Sequence, residues 1–128
     1  DIKMSGVNSI NWARIVSQSV YYYWAILQLK EVNKINFVVP SGNFGNVYAG
    51  HIATKMGLPI DRLHVVTNAN DILYRSITSG HMKLKNVKKT YSPSMEIQIS
   101  SNFERQLFES SERNSDEIKK LFQEIHKK

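Results

Sequence analysis

The sequence predicts an α/β fold, an open parallel sheet with flanking helices. Short runs rich in β-branched residues at 35–39 and 63–67, a helical stretch between them at 47–56, and proline or glycine at the boundaries carry that prediction. Strand, helix and strand within about thirty-five residues make a βαβ unit, which joins parallel strands with a right-handed crossover. A chain of 128 residues fits a single α/β segment, and folding at that size buries roughly two-thirds of the unfolded surface.

Residues 8–30 come first. Ile10, Ala13, Val16, Val20, Tyr23, Trp24 and Leu27 keep helical spacing, while Trp12, Ile15, Tyr21, Tyr22 and Ile26 widen the apolar surface, so this helix is predicted to be covered on most sides. Its polar minority is Asn11, Arg14 and Gln18, with Asn8 or Ser9 as the predicted cap. Strand 35–39 stops at Pro40 and opens into Ser41 Gly42 Asn43 Phe44 Gly45 Asn46. The helix after it stops at Gly57, with Pro59 just beyond. After strand 63–67, Asn70 or Asp71 caps a helix with Ile72, Leu73 and Ile77 on its inner face and Gly80 at its end. Residues 81–94 are irregular and basic. Ser101 Asn102 Phe103 Glu104 reads as a capping box for a helix with Phe103, Leu107 and Phe108 inside. Residues 110–115 form a loop between helices, and 116–128 a surface helix with a stripe of Ile118, Leu121, Phe122 and Ile125.

Composition removes several classes of function. With no cysteine there is no disulfide framework and no thiolate metal site, and a reducing, cytoplasmic setting is predicted. No apolar stretch is long enough to span a bilayer, so no membrane role is expected. The net charge of +6 comes from one short lysine run and the C-terminal lysines without any nucleic-acid signature, so no nucleic acid is expected as partner. His51, His64, His81 and His126 share no metal-ligand spacing, and no metal is expected. The opening residues carry no leader pattern and no initiator methionine, which reads as a piece of something longer.

The loop at 41–46 is the chemical focus. It precedes a helix N-terminus, where unpaired N–H groups and the helix dipole favour an anion. It lacks the lysine of a Walker loop and the three glycines of a dinucleotide fingerprint. Its glycines allow close approach and positive φ, and the Ser41 hydroxyl and the Asn43 and Asn46 amides offer further hydrogen bonds. From the residues alone, a phosphate cradle and a plain turn without ligand fit equally.

A resemblance then enters. Val7 Asn8 Ser9 Ile10 Asn11 Trp12 Ala13 Arg14 Ile15, the tyrosines 21–23, the loop Val39 Pro40 Ser41 Gly42 Asn43 Phe44 Gly45 Asn46, and Lys55 Met56 Gly57 Leu58 Pro59 Ile60 look like threonine synthase. Residues 68–73, 92–95 and Ser100 Ser101 Asn102 Phe103 Glu104 Arg105 continue it in order, with Glu96 where the family usually has aspartate. The resemblance implies a piece of the large domain of a fold-type II pyridoxal-phosphate enzyme of tryptophan-synthase-β-like fold. It implies conversion of O-phosphohomoserine and water to threonine and phosphate, with the cofactor's phosphate held by Ser41, Gly42, Asn43, Phe44, Gly45 and Asn46.

Asn8, Ser9, Asn11 and Arg14 become candidates for substrate contact, alongside capping and a solvent-facing arginine. The family's Schiff-base lysine lies in a Phe-Lys-Asp segment that this chain lacks, so no catalytic residue is assigned. Lys55 is rejected as a substitute because it falls at the far end of its helix. The chain is expected to be a central fragment, roughly a quarter to a third of the family's length and inactive alone. The alternatives are a non-catalytic α/β module that binds a phosphorylated metabolite, and a truncated chain that self-associates through exposed apolar surface.

Overall fold

A computed structural model describes residues 3, 4 and 6–126, with side chains described to residue 121. The predicted first helix is two: α1 (Trp12–Ser17) and α2 (Ser19–Leu27), joined at Gln18. Strand β1 (Ile35–Pro40) leads through the loop into α3 (Gly45–Lys55), and β2 (Ile60–Val66) follows. Then come α4 (Ile72–Ser79), a 3₁₀ turn at Pro93–Met95, α5 (Ser101–Ser110) and α6 (Ser115–His126).

The two strands are parallel and form a two-stranded sheet, so the βαβ unit is present. Asn36 pairs with Arg62 and Pro40 with Val66, with an irregularity between Ile35 and Asn36 at the start. Pro40 forms the final register pair because proline cannot donate within a ladder, which suits a strand end. Gly57, at φ +100°, lets the chain leave α3 toward β2, a conformation that a side chain would strain.

Helix α3 is the hub. Val47, Tyr48, Ala49 and Ala53 are buried, with α1 and α2 on one side and α5 on another. The close approach of α2 depends on Gly50, where an added Cβ would lie 2.7 Å from Tyr22 Cζ and 2.9 Å from Leu63 Cδ2. The Tyr22 ring therefore rests on α3 backbone, edge-on to Phe37 with ring centroids 4.8 Å apart.

Three expectations need correction. Asn11 caps the first helix, since its Oδ1 accepts from the N–H groups of Ala13 and Arg14, whereas Asn8 accepts from Ile10 N. The helix is also not covered on most sides: Trp12, Val20, Tyr21 and Trp24 are exposed, because only the Ile15, Ser19 and Tyr22 side of α1 and α2 is buried. On α4, Ile77 faces outward and Ser76 joins Ile72 and Leu73 inside, its hydroxyl donating to Ile72 O at 2.7 Å. The expected stripe on 116–128 is described only at Ile118 and Leu121, both half-buried; Phe122 and Ile125 lie outside the described side chains. No helix among the described residues is long and apolar enough to cross a membrane.

Candidate functional site

The loop lies where β1 ends, at the carboxyl edge of the sheet. Ser41 N donates to Val66 O at 2.9 Å, which extends the strand pairing by one residue and consumes that N–H. Beyond it the pattern changes. Among the described residues, none of the backbone N–H groups from Gly42 to Val47 meets an acceptor. Helix α3 begins here without a side-chain cap, so unpaired donors and the positive end of the helix dipole coincide.

Neither loop glycine carries the positive φ that the sequence suggested. That turn belongs to Phe44, at φ 61° and ψ 5°. Left-handed geometry is costly for a residue with a Cβ. It is held by burial, since Phe44 packs edge-on against Phe103 with centroids 5.2 Å apart. The two glycines serve different ends. A Cβ on Gly42 would sit 3.0 Å from Met95 Cα and 3.1 Å from Ile97 Cγ1, so Gly42 is required by the approach of residues 95–97. A Cβ on Gly45 would meet Asn102 Nδ2 at 3.6 Å and Ile15 Cδ1 at 3.8 Å, ordinary contacts.

The asparagine amides are committed to the protein, contrary to their expected availability for a ligand. Asn43 Oδ1 accepts from both Ser101 N and Ser101 Oγ at 2.9 Å, and its Nδ2 donates to Ser9 Oγ. The capping box at residues 101–104 is therefore absent. Ser101 is already helical, Ser100 makes no side-chain cap, and the remote Asn43 supplies the acceptor. Asn46 Oδ1 and Asn46 O both lie 2.8 Å from Tyr22 Oη, the donor they share. Burial pushes the Tyr22 hydroxyl up to about 12, so it remains protonated as that donor at neutral pH.

Of the residues proposed for substrate contact, Ser9 alone is joined to the loop by hydrogen bonds, through Asn43 and through Asn102, whose Nδ2 donates to Ser9 O at 2.8 Å. Asn8 and Asn11 make local turn and cap contacts, and exposed Arg14 reaches Val7 O at 3.4 Å. Lys55 lies at the C-terminal end of α3 and pairs with Glu109 at 3.0 Å. Among the described residues no three His, Cys, Asp or Glu side chains could hold a metal ion.

Asn70, at the same sheet edge, is buried and clamps the basic segment: its Nδ2 donates to Lys88 O and its Oδ1 accepts from Lys88 N, each at 2.8 Å. Asn102 and Tyr22 also support the loop, a role that neither the predicted capping box nor the helical spacing of 8–30 indicates. A polar Asn102 beside buried Phe103, on the inner side of an amphipathic helix, was the available signal.

The arrangement suits an anion rather than a cation, because it offers successive unpaired backbone donors and no charged acceptor. Comparisons with known proteins point to one enzyme name. The chain is 47% identical over 120 residues to threonine synthase from Pseudomonas aeruginosa, covering 93% of this chain and 26% of that protein. It is 52% identical over 109 residues to the Saccharomyces cerevisiae threonine synthase, covering 82% of this chain and 21% of that one. Its structure superimposes on a pyridoxal-phosphate-bound threonine synthase from Brucella melitensis with a TM-score of 0.83 and 52% identity, over 93% of this chain and 26% of the other. No family model matches the chain. It spans about a quarter of the length of the relatives it matches. Along that quarter the chain is similar to the threonine synthases in both sequence and fold.

Proposed function

We propose that this chain supplies the cofactor-phosphate grip of a pyridoxal-phosphate-dependent threonine synthase, an enzyme that converts O-phosphohomoserine and water to threonine and phosphate. The observation that carries this reading is the run of unpaired backbone N–H groups from Gly42 to Val47 at the start of α3. A phosphate dianion matches it in charge and hydrogen-bonding capacity. The residues present therefore fit the group. Pyridoxal phosphate, when bound, supplies the electron sink for the reaction.

The chain's own part is binding and orientation. Residues Gly42, Asn43, Phe44, Gly45 and Asn46 would hold the phosphate through their backbone N–H groups, and Ser41 through its hydroxyl, since its N–H is bonded to Val66. Ser9 is the best supported substrate contact, because its Oγ accepts from Asn43 and keeps its own proton to donate. Asn8, Asn11 and Arg14 remain further candidates at the same end of α1. No Phe-Lys-Asp segment occurs in the sequence, so this chain alone is inactive in our reading. Non-catalytic binding of a phosphorylated metabolite is not favoured, given relatives that share a single enzyme name.

Titration of the chain with pyridoxal phosphate, followed by backbone amide resonances, tests the grip. The amides of 42–47 should shift together, and a folded chain in which none of them moves would overturn the assignment. With O-phosphohomoserine added, no phosphate should be released. Turnover by this chain alone would disprove its inactivity.

A further inference from the structure

Asn102 has no exposed surface and lies in the first turn of α5. Its Nδ2 donates to Asn43 O at 3.0 Å and to Ser9 O at 2.8 Å, while its Oδ1 accepts from Arg105 Nη1 at 3.3 Å. Two carbonyls on one side and a guanidinium on the other allow only one orientation of the amide. Arg105 is itself held, donating from Nη2 to Ile10 O at 2.9 Å.

The consequence for the loop follows from the planarity of the peptide bond. In a trans peptide the C=O and the next N–H point in opposite directions, and the chain contains no cis bond among the described residues. The carbonyl of Asn43 and the N–H of Phe44 belong to one peptide plane. A donor that holds Asn43 O toward α5 therefore turns Phe44 N–H away from it, where no protein acceptor meets it. Phe44 is also the left-handed residue, the point where the loop could most readily flip its peptide to escape strain.

We propose that Asn102 is a positioning residue for the anion-binding loop: its amide locks the Asn43–Phe44 peptide so that Phe44 N–H is presented to a phosphate, and it fixes Ser9 in the same stroke. This rests on the reading of the loop as a phosphate grip. Asn102 itself touches no ligand. Its effect reaches the ligand through one N–H, which makes it separable from a general role in stability.

Titration of the full chain with inorganic phosphate, followed through backbone amide resonances in the unaltered protein and in Asn102→Asp, tests the proposal. Aspartate keeps the shape and loses the donors. Phosphate affinity should fall about tenfold, the worth of one hydrogen bond to a charged acceptor. The Phe44 amide should lose its phosphate-induced shift while Asn46 and Val47 keep theirs. A uniform loss across the loop, or an intact Phe44 response at unchanged affinity, would overturn the role of Asn102. Failure of amides 42–47 to respond in the unaltered protein would bring down the phosphate grip itself, so the two failures are distinct. Should Asn102→Asp not fold, Arg105→Gln releases Asn102 Oδ1 while leaving its donors in place. It should weaken the Phe44 response selectively, by about threefold in affinity, and no change there would count against the proposal.

Discussion

Two helix starts lie side by side in this molecule and are treated oppositely. Helix α5 is capped at Ser101 by an asparagine fifty-eight residues away in sequence, Asn43. Helix α3 has two asparagines at its own threshold, Asn43 and Asn46, and receives no side-chain cap from either. Elsewhere local caps are used: Asn11 serves α1, and Asn114 Oδ1 accepts from Asp116 N and Glu117 N of α6 at 3.2 Å. Capping chemistry was thus available to α3 and was directed away from it. A helix start left open beside two suitable side chains leaves its first donors without a partner in the chain, which is what the proposed phosphate grip requires.

The largest loss is expected at Phe44, which opens α3 from a left-handed turn. Phe44→Ala should cost about 3–5 kcal/mol, since it empties a buried aromatic site and leaves a Cβ in strained geometry. Phe44→Gly should recover about 1 kcal/mol of that loss, the reverse of the usual preference for alanine within helices. Urea unfolding of both variants decides it, and alanine proving the more stable would mean that the left-handed turn is not costly.

A smaller effect separates the glycines. Gly42→Ala should destabilise the chain by about 1–3 kcal/mol because Met95 backbone stands in the way. Gly45→Ala should be neutral or stabilising by up to about 1 kcal/mol, as the new methyl meets only ordinary contacts at a helical position. Equal losses in thermal unfolding would contradict the distinct roles given to them.

The smallest expected effect involves pH. Burial holds the His51 imidazole below its ordinary value, the nearby Lys55 adds to this, and Glu109 opposes it. The folded chain therefore resists a proton that the unfolded chain accepts. Stability present above pH 6.5 is lost as pH falls below it. His51→Phe should flatten the slope of stability between about pH 7 and 5, while leaving the α3 start untouched; an unchanged slope would exonerate His51.

The βαβ unit was legible because its signals are local: alternating β-branched runs, a proline stop, glycines at helix ends. The place of the loop at 41–46 was legible for the same reason, since strand end and helix start are adjacent in sequence. What could not be read is the wiring. Serine at 101 followed by glutamate at 104 satisfies the capping-box pattern, yet the acceptor that wins is Asn43, brought in by tertiary packing. The break at Gln18 was hidden by continuous apolar spacing through residues 8–30. Asn43 and Asn46 look like ligand groups in sequence, and only the positions of Ser9, Ser101 and Tyr22 reveal that the protein occupies them.

The bridge made by Asn102 spans ninety-three residues to Ser9, whereas β1, α3 and β2 are consecutive elements. Closing so long a segment is entropically slow compared with forming neighbouring contacts. In refolding, the parallel strands and α3 should thus acquire protection from solvent exchange first. The loop bridged by Asn102 should come afterwards, so a refolding chain should pass through a stage in which sheet and helix are protected while the 42–47 amides are not yet held in place.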